Sequence, residues 1–163
     1  MLGSGQCGHR YGCFWRGCLL NGALHWFGYE QSVMSRTLKS FDLREEKFQG
    51  RIPLPNDAYL SHIFIAKNCL CIYSSRNVTA TGFRIWKMEE NGVWTEFISS
   101  ESLPREFENA RLTPLYILEN GEVLMVVNYT VKLILYSPKE MTFRNGIGRR
   151  WLFNGAIYRE TLL

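Results

Sequence analysis

The stretch Leu38-Lys39-Ser40-Phe41-Asp42-Leu43, followed by the polar run Arg44–Lys47 and then Phe48, decides how this chain is read. It combines a short strand, four polar or turn residues, and an aromatic that opens a further strand. The pattern returns as Phe83-Arg84-Ile85-Trp86-Lys87-Met88 with Glu89–Gly92 and Trp94. It returns again as Lys132-Leu133-Ile134-Leu135-Tyr136 with Pro138–Met141 and Phe143. Phe41, Trp86 and Tyr136 align, as do Phe48, Trp94 and Phe143. The period is ~45–50 residues, that of one supersecondary unit in a repeat architecture.

Working outward, a second element precedes each of these. Leu20-Asn21-Gly22-Ala23-Leu24-His25-Trp26 recurs as Phe153-Asn154-Gly155-Ala156-Ile157-Tyr158. Looser versions are Lys67-Asn68-Cys69-Leu70-Cys71-Ile72 and Asn120-Gly121-Glu122-Val123-Leu124-Met125. Each places a pair suited to tight hairpin geometry between two apolar strands. The predicted strands are 13–20, 22–28, 36–42 and 48–54 in the first unit, and 60–66, 69–74, 82–88 and 93–98 in the second. In the third they are 113–119, 122–128, 131–137 and 142–147.

Helical periodicity is nearly absent. A four-stranded unit cannot bury both faces alone and must stack on its neighbours. The expected fold is all-β: a partial, kelch-like β-propeller of about three four-stranded blades plus a terminal hairpin from Arg150 onward. A β-sandwich also spaces its strands regularly, but gives no reason for the aligned aromatics. Met1–Gly17 fits no unit, so residues 1–17 are expected to be an atypical segment and 18–163 the propeller-like domain. A closed ring takes about four to eight blades. Three leave two faces uncovered, and self-association is expected from them.

Composition bounds the function. Apolar residues at 46% and charged residues at 21% are globular values, and 14% aromatics supply large side chains for burial. A net charge of +4 without a dense basic stripe argues against nucleic acid as a partner. The longest apolar stretch, Val123 to Val127, is too short to span a bilayer, and Met1 to Leu20 lacks a signal-peptide pattern. The expected setting is intracellular, cytoplasm or nucleus, away from membranes.

Five cysteines suit free thiols in a reducing compartment. Cys7, His9, Cys13 and Cys18 lack the paired spacing of a zinc knuckle, so neither metal nor cofactor is expected. Gly3-x-Gly5-x-x-Gly8 has no room for the strand that a dinucleotide turn requires. His25, inside a strand, reads as a packed side chain. Glu45-Glu46 and Glu89-Glu90 sit on equivalent exposed turns, unlike the buried carboxyl that acid–base catalysis needs. An enzyme is therefore not expected. A propeller enzyme or sugar-binding domain would need a metal or acid–base cluster at the ring centre.

The run Asn21-Gly22-Ala23-Leu24-His25-Trp26, Ser40-Phe41-Asp42-Leu43 with Glu46 and Phe48, then Ile52-Pro53-Leu54-Pro55, resembles the F-box-associated domain of plant F-box proteins (type 1 and type 3). Ile85-Trp86-Lys87-Met88-Glu89-Glu90 with Val93-Trp94 is similar to that family's "I-W-x-M" strand and following tryptophan. Tyr158-Arg159-Glu160-Thr161-Leu162-Leu163 is similar to its "Y-x-E-S-L" close. S-locus F-box proteins of pollen–pistil recognition share these features.

The resemblance implies a propeller-like protein-binding module that selects the protein to be ubiquitinated by an SCF-type ligase. An F-box of about 45 residues grips the Skp-type adaptor in that family, and no such helices precede the first unit here. The Skp-type adaptor is accordingly not an expected partner. Leu103-Pro104-Arg105-Glu106 echoes the start of an F-box but sits between units. The alternative is a truncated product without independent function.

The connections between second and third strands, Tyr29–Ser35, Ser75–Thr81 and Asn128–Thr130, fall on one rim, the first two longer than a hairpin requires. Loops on a rigid scaffold carry binding residues. Tyr29, Glu30, Arg76, Asn77 and Tyr129 are the expected protein-binding residues.

Overall fold

The computed structural model describes residues 17–30, 35–50, 52–55, 60–75, 82–90, 92–108, 110–127 and 132–146. These form three antiparallel four-stranded sheets, each with its strands side by side in chain order. The first holds β1 (Cys18–Leu20), β2 (Ala23–Glu30), β3 (Ser35–Asp42) and β4 (Lys47–Phe48). The second holds β5 (Leu60–Ala66), β6 (Cys69–Ser75), β7 (Phe83–Met88) and β8 (Trp94–Ser100). The third holds β9 (Leu112–Ile117), β10 (Val123–Val127), β11 (Leu133–Ser137) and β12 (Thr142–Asn145). The all-β expectation and the three meanders hold. The predicted terminal hairpin lies outside the described residues.

Turn chemistry explains the first hairpin of each sheet. Asn21 and Gly22 take φ of 50° and 78°, and Lys67 and Asn68 take 49° and 58°. Two successive left-handed residues match the twist of the strands they join. The third sheet differs. Its β9–β10 connection spans 118–122, with Gly121 alone at φ 90° and Asn120 Oδ1 accepting the Glu122 N–H at 3.0 Å. Asn120-Gly121 thus marks a longer turn than the two-residue hairpin of the sequence reading.

The sheets stack as blades, with β5 against β1 on one side and β9 on the other. The second sheet is covered on both faces. Leu70, Ile72, Trp86, Met88 and Trp94 meet Leu38, Leu20 and Phe27 of the first sheet. Cys71, Tyr73, Phe83, Ile85 and Ile98 meet Val123, Met125, Ile134 and Tyr136 of the third. Alternate residues of a strand point to opposite faces, so β6 must be apolar at successive positions. Its central residues, Leu70 to Ser74, are all buried.

The aromatics concentrate at the second interface. Phe83 lies edge-on to Tyr136 at 5.1 Å, and Tyr136 tilts against Phe143 at 4.7 Å. Phe107, carried on a 3-10 turn (Arg105–Phe107) in the linker between sheets, reaches Phe143 at 5.8 Å. Phe107 and the partly buried Leu103 both join this core. The Leu103-Pro104 echo of an F-box is thus an inter-blade linker.

Register refines the repeat. Phe41 opposes Phe48, and Tyr136 opposes Phe143, across four-residue turns whose last residues, Glu46 and Met141, both have φ 52°. In the second sheet Trp94 opposes Met88 with five residues, 89–93, between them, one fewer than the six between each of those pairs. Met88, not Trp86, is therefore the structural counterpart of Phe41. Trp86 faces the same neighbour two residues earlier.

Candidate interaction surface

The rim carrying the β2–β3, β6–β7 and β10–β11 connections is the surface the sequence singles out. The β2–β3 ladder runs further than expected, to Tyr29↔Arg36 and Glu30↔Ser35. The backbones of Tyr29 and Glu30 therefore belong to β2, and the connection shrinks to 31–34. In the third sheet Val127 N–H donates to Lys132 C=O at 3.0 Å, closing 128–131. The first connection is thus no longer than the third. Only the second, between Ser75 and Phe83, keeps length that a hairpin does not need. Arg76, Asn77 and Tyr129 lie outside the described residues.

The described residues below this rim form its support. Arg36 Nη1 donates to the Leu60 carbonyl, tying the first sheet to the start of the second. The guanidinium also lies over the Phe27 ring, 5.6 Å from its centroid. In the third sheet Lys132 Nζ lies 4.9 Å from the centre of Phe107. Two further bonds latch neighbouring blades. Trp94 Nε1–H donates to Pro53 C=O at 2.6 Å, and Tyr136 O–H donates to Ser99 C=O at 2.9 Å. A buried aromatic carrying a polar tip fixes position as well as filling space.

The Ser40-Phe41-Asp42 run gains a physical meaning. Asp42 Oδ1 accepts the N–H groups of Arg44 and Glu45, each at 2.9 Å, and Oδ2 accepts from Gln49 at 3.2 Å. Ser40 O–H donates to Gln49 Oε1 at 2.9 Å. The carboxylate thus holds the β3–β4 turn, and the two backbone N–H groups keep its pKa below the usual value. Phe41, between the two polar residues, points to the opposite face.

That opposite face was missed from sequence. A row crosses all four strands of the first sheet: Leu19 pairs with Leu24, Leu24 with Phe41, and Phe41 with Phe48. Leu19 is 54% exposed, Leu24 38% and Phe48 71%. The signal was present, since Phe48 aligns with Trp94 and Phe143, but alignment treats all three as equally covered.

The titratable groups behave as packed or solvated side chains. His25 is buried, bonds the Leu20 backbone, and has its pKa lowered by desolvation. Its Nδ1 has no hydrogen-bond partner. Burial pushes the Cys18 and Cys71 thiols up to about 12, which keeps them protonated. Glu89 is held low by the Thr95 hydroxyl and Lys87. Among the described residues no group of three or more His, Cys, Asp or Glu could hold a metal ion. Cys7, His9 and Cys13 lie outside them. No described helix is long and apolar enough to cross a membrane.

Three successive four-stranded meanders, stacked on one another, are blades of a β-propeller. Residues 6–144 match the family model of the F-box associated beta propeller domain. The chain belongs to that family. It is thereby a β-propeller protein-interaction domain of the kind found in F-box proteins. No curated protein matches the chain at a significant level.

Proposed function

We propose that this F-box associated domain is the target-recognition part of an SCF-type ubiquitin ligase, binding the protein to be ubiquitinated and performing no chemistry itself. The observation that carries this reading is the family match across residues 6–144. Residues 18–163 act as the propeller-like unit, with 1–17 outside its repeats. Within it the rim of the second-to-third strand connections makes the contact, through Tyr29, Glu30, Arg76, Asn77 and Tyr129. The rigid ladder below these positions and the unneeded length after Ser75 support that choice. This stretch supplies the target contact and not the grip on the Skp-type adaptor. The reading places the protein in the cytoplasm or nucleus of a plant cell, in the wider family that includes S-locus F-box proteins.

The test begins with proximity labelling by the tagged protein in plant cells, followed by binding assays with each purified candidate. A genuine target accumulates when the protein is depleted. Its binding weakens by about tenfold or more when Tyr29 and Arg76 are both replaced by alanine, with Tm nearly unchanged. A target whose level ignores depletion contradicts the ligase role. Binding that survives the double substitution contradicts the rim.

A further inference from the structure

Three of the described strands carry an arginine, and two of the three are matched to a carboxylate. Arg84 of β7 lies 3.2 Å from Glu96, and Arg144 of β12 lies 2.6 Å from Glu122. Arg36 of β3 is held differently. Its Nη1 donates to the Leu60 carbonyl, and its guanidinium lies over the Phe27 ring, 5.6 Å from the centroid. Neither contact neutralises its charge. Among the described residues no Asp or Glu pairs with it, and the residue is exposed.

The two contacts fix the side chain without using it up. A free surface arginine loses rotamer freedom when it binds, a cost that one already held in place largely avoids. The carbonyl takes one nitrogen and the ring one face of the guanidinium plane. Further N–H donors remain in a rigid fork, the shape that meets both oxygens of a carboxylate side by side. Its place is also the rim. Arg36 lies directly across from Tyr29 in the β2–β3 ladder, beside the connection 31–34. It shares a face with Leu38, which packs against the second blade, where Leu60 opens β5. Phosphate groups are recognised by clusters of arginines, and the other two strand arginines are already matched. A single open fork fits a single negative charge.

Resting on the target-recognition reading above, we propose that Arg36 is a specificity-determining contact of the rim, and that it reads a carboxylate of the bound protein. Phe27 and the Leu60 carbonyl are its positioning groups. They aim the fork at the rim between the first and second blades, next to the backbone of Tyr29. Discrimination follows from the donors: an amide in place of the acid offers one oxygen and no charge, and leaves part of the fork unmatched.

The probe is a random linear peptide library with free C-termini, panned against the full chain. The selected peptides are expected to share a carboxylate at one place. Each is then synthesised intact, with that acid changed to its amide, and with its C-terminus amidated, which separates a side-chain carboxylate from a terminal one. Against the unsubstituted chain, loss of the carboxylate weakens binding by about tenfold or more. Against Arg36→Gln, the intact and neutralised peptides bind equally, both at the weaker level. Arg36→Lys keeps the charge but not the fork, and the carboxylate is expected to matter less there than against the unsubstituted chain. That comparison stands even if Arg36→Gln fails to fold. Should Arg36 merely prop the rim, its substitution weakens intact and neutralised peptides by the same factor, and that result overturns the proposal. So does a selected set with no common carboxylate, or a panning that selects nothing. The ligase role is read separately, from target accumulation on depletion, so either reading can fail without the other.

Discussion

Phe48 and Phe143 occupy the same place in two of the blades and meet different fates. Each is the second residue of a last strand and sits across from an aromatic, Phe41 or Tyr136. The turns before them share a left-handed residue at the same step. Phe143 joins a core with Tyr136, Phe83 and Phe107, whereas Phe48 touches Phe41 and Trp26 and remains 71% exposed. Local geometry is set by the strand-and-turn pattern, but burial is set by the blade in front. Most of the stabilisation from these aromatics is therefore realised between units, as expected when a unit cannot bury its own faces.

The sharpest way to break this comparison is to truncate one ring from each face. Tyr136 is fully buried and donates to Ser99 C=O. Tyr136→Ala should cost about 3–5 kcal/mol, the range for emptying a buried aromatic site. Phe48→Ala, measured in dilute monomer, should change stability by less than about 0.5 kcal/mol. Equal losses in denaturant melts would mean that the first blade's front is covered after all.

A backbone contrast comes next. A Cβ on Gly82 would lie 2.2 Å from the Ser100 carbonyl oxygen, whereas one on Gly22 would meet nothing within 4 Å. Gly82→Ala forces the edge of the second sheet open, for at least about 1–3 kcal/mol. Gly22→Ala meets only the left-handed penalty of its φ of 78°, about 1–2 kcal/mol. A Gly82→Ala chain that melts above Gly22→Ala would contradict the close approach of β7 and β8.

His25 supplies a smaller effect with a definite sign. Burial lowers its folded pKa below the ordinary histidine value of about 6.5, so the unfolded chain takes up a proton first as pH falls. Stability from this group is complete above about 6.5 and is lost between that value and the lower folded one. Asp42, Glu89 and Glu122, also lowered, lose their contributions in a separate window beneath the ordinary carboxylate values. Tm should drop through the first window in the parent chain, and His25→Gln should flatten that step while leaving the acid limb. The exposed Arg144–Glu122 pair is the smallest case. Arg144→Ala should leave Tm nearly unchanged, because solvated pairs contribute little.

Much of the fold was legible because its signals are local. β5 falls on the predicted 60–66, and the Asn21-Gly22 turn follows from residues that tolerate a left-handed backbone. Three features were not legible, each for a physical reason. Trp86 aligns with Phe41 by residue type, since an aromatic looks like the natural counterpart, yet the segment between opposed residues is one shorter in the second blade, and Met88 is the equivalent. The β2–β3 connection was read as long because Tyr29, Glu30 and Ser35 carry no apolar alternation, though backbone pairing does not require it. The open front of the first blade was hidden because exposure depends on which surface lies opposite. For the rim, the sequence supplied residue types suited to binding, and the structure describes the scaffold beneath them.

Consecutive units stack front to back and share their aromatics, and a double-mutant cycle across the second interface tests this most directly. Phe83 on the back of the second blade and Tyr136 on the front of the third have ring centroids 5.1 Å apart. Phe83→Leu, Tyr136→Leu and the double variant, compared by denaturant unfolding, isolate that contact from the burial of either ring. The predicted coupling is about 0.5–1.5 kcal/mol in favour of the pair. Strict additivity of the two substitutions would contradict the stacking of the blades.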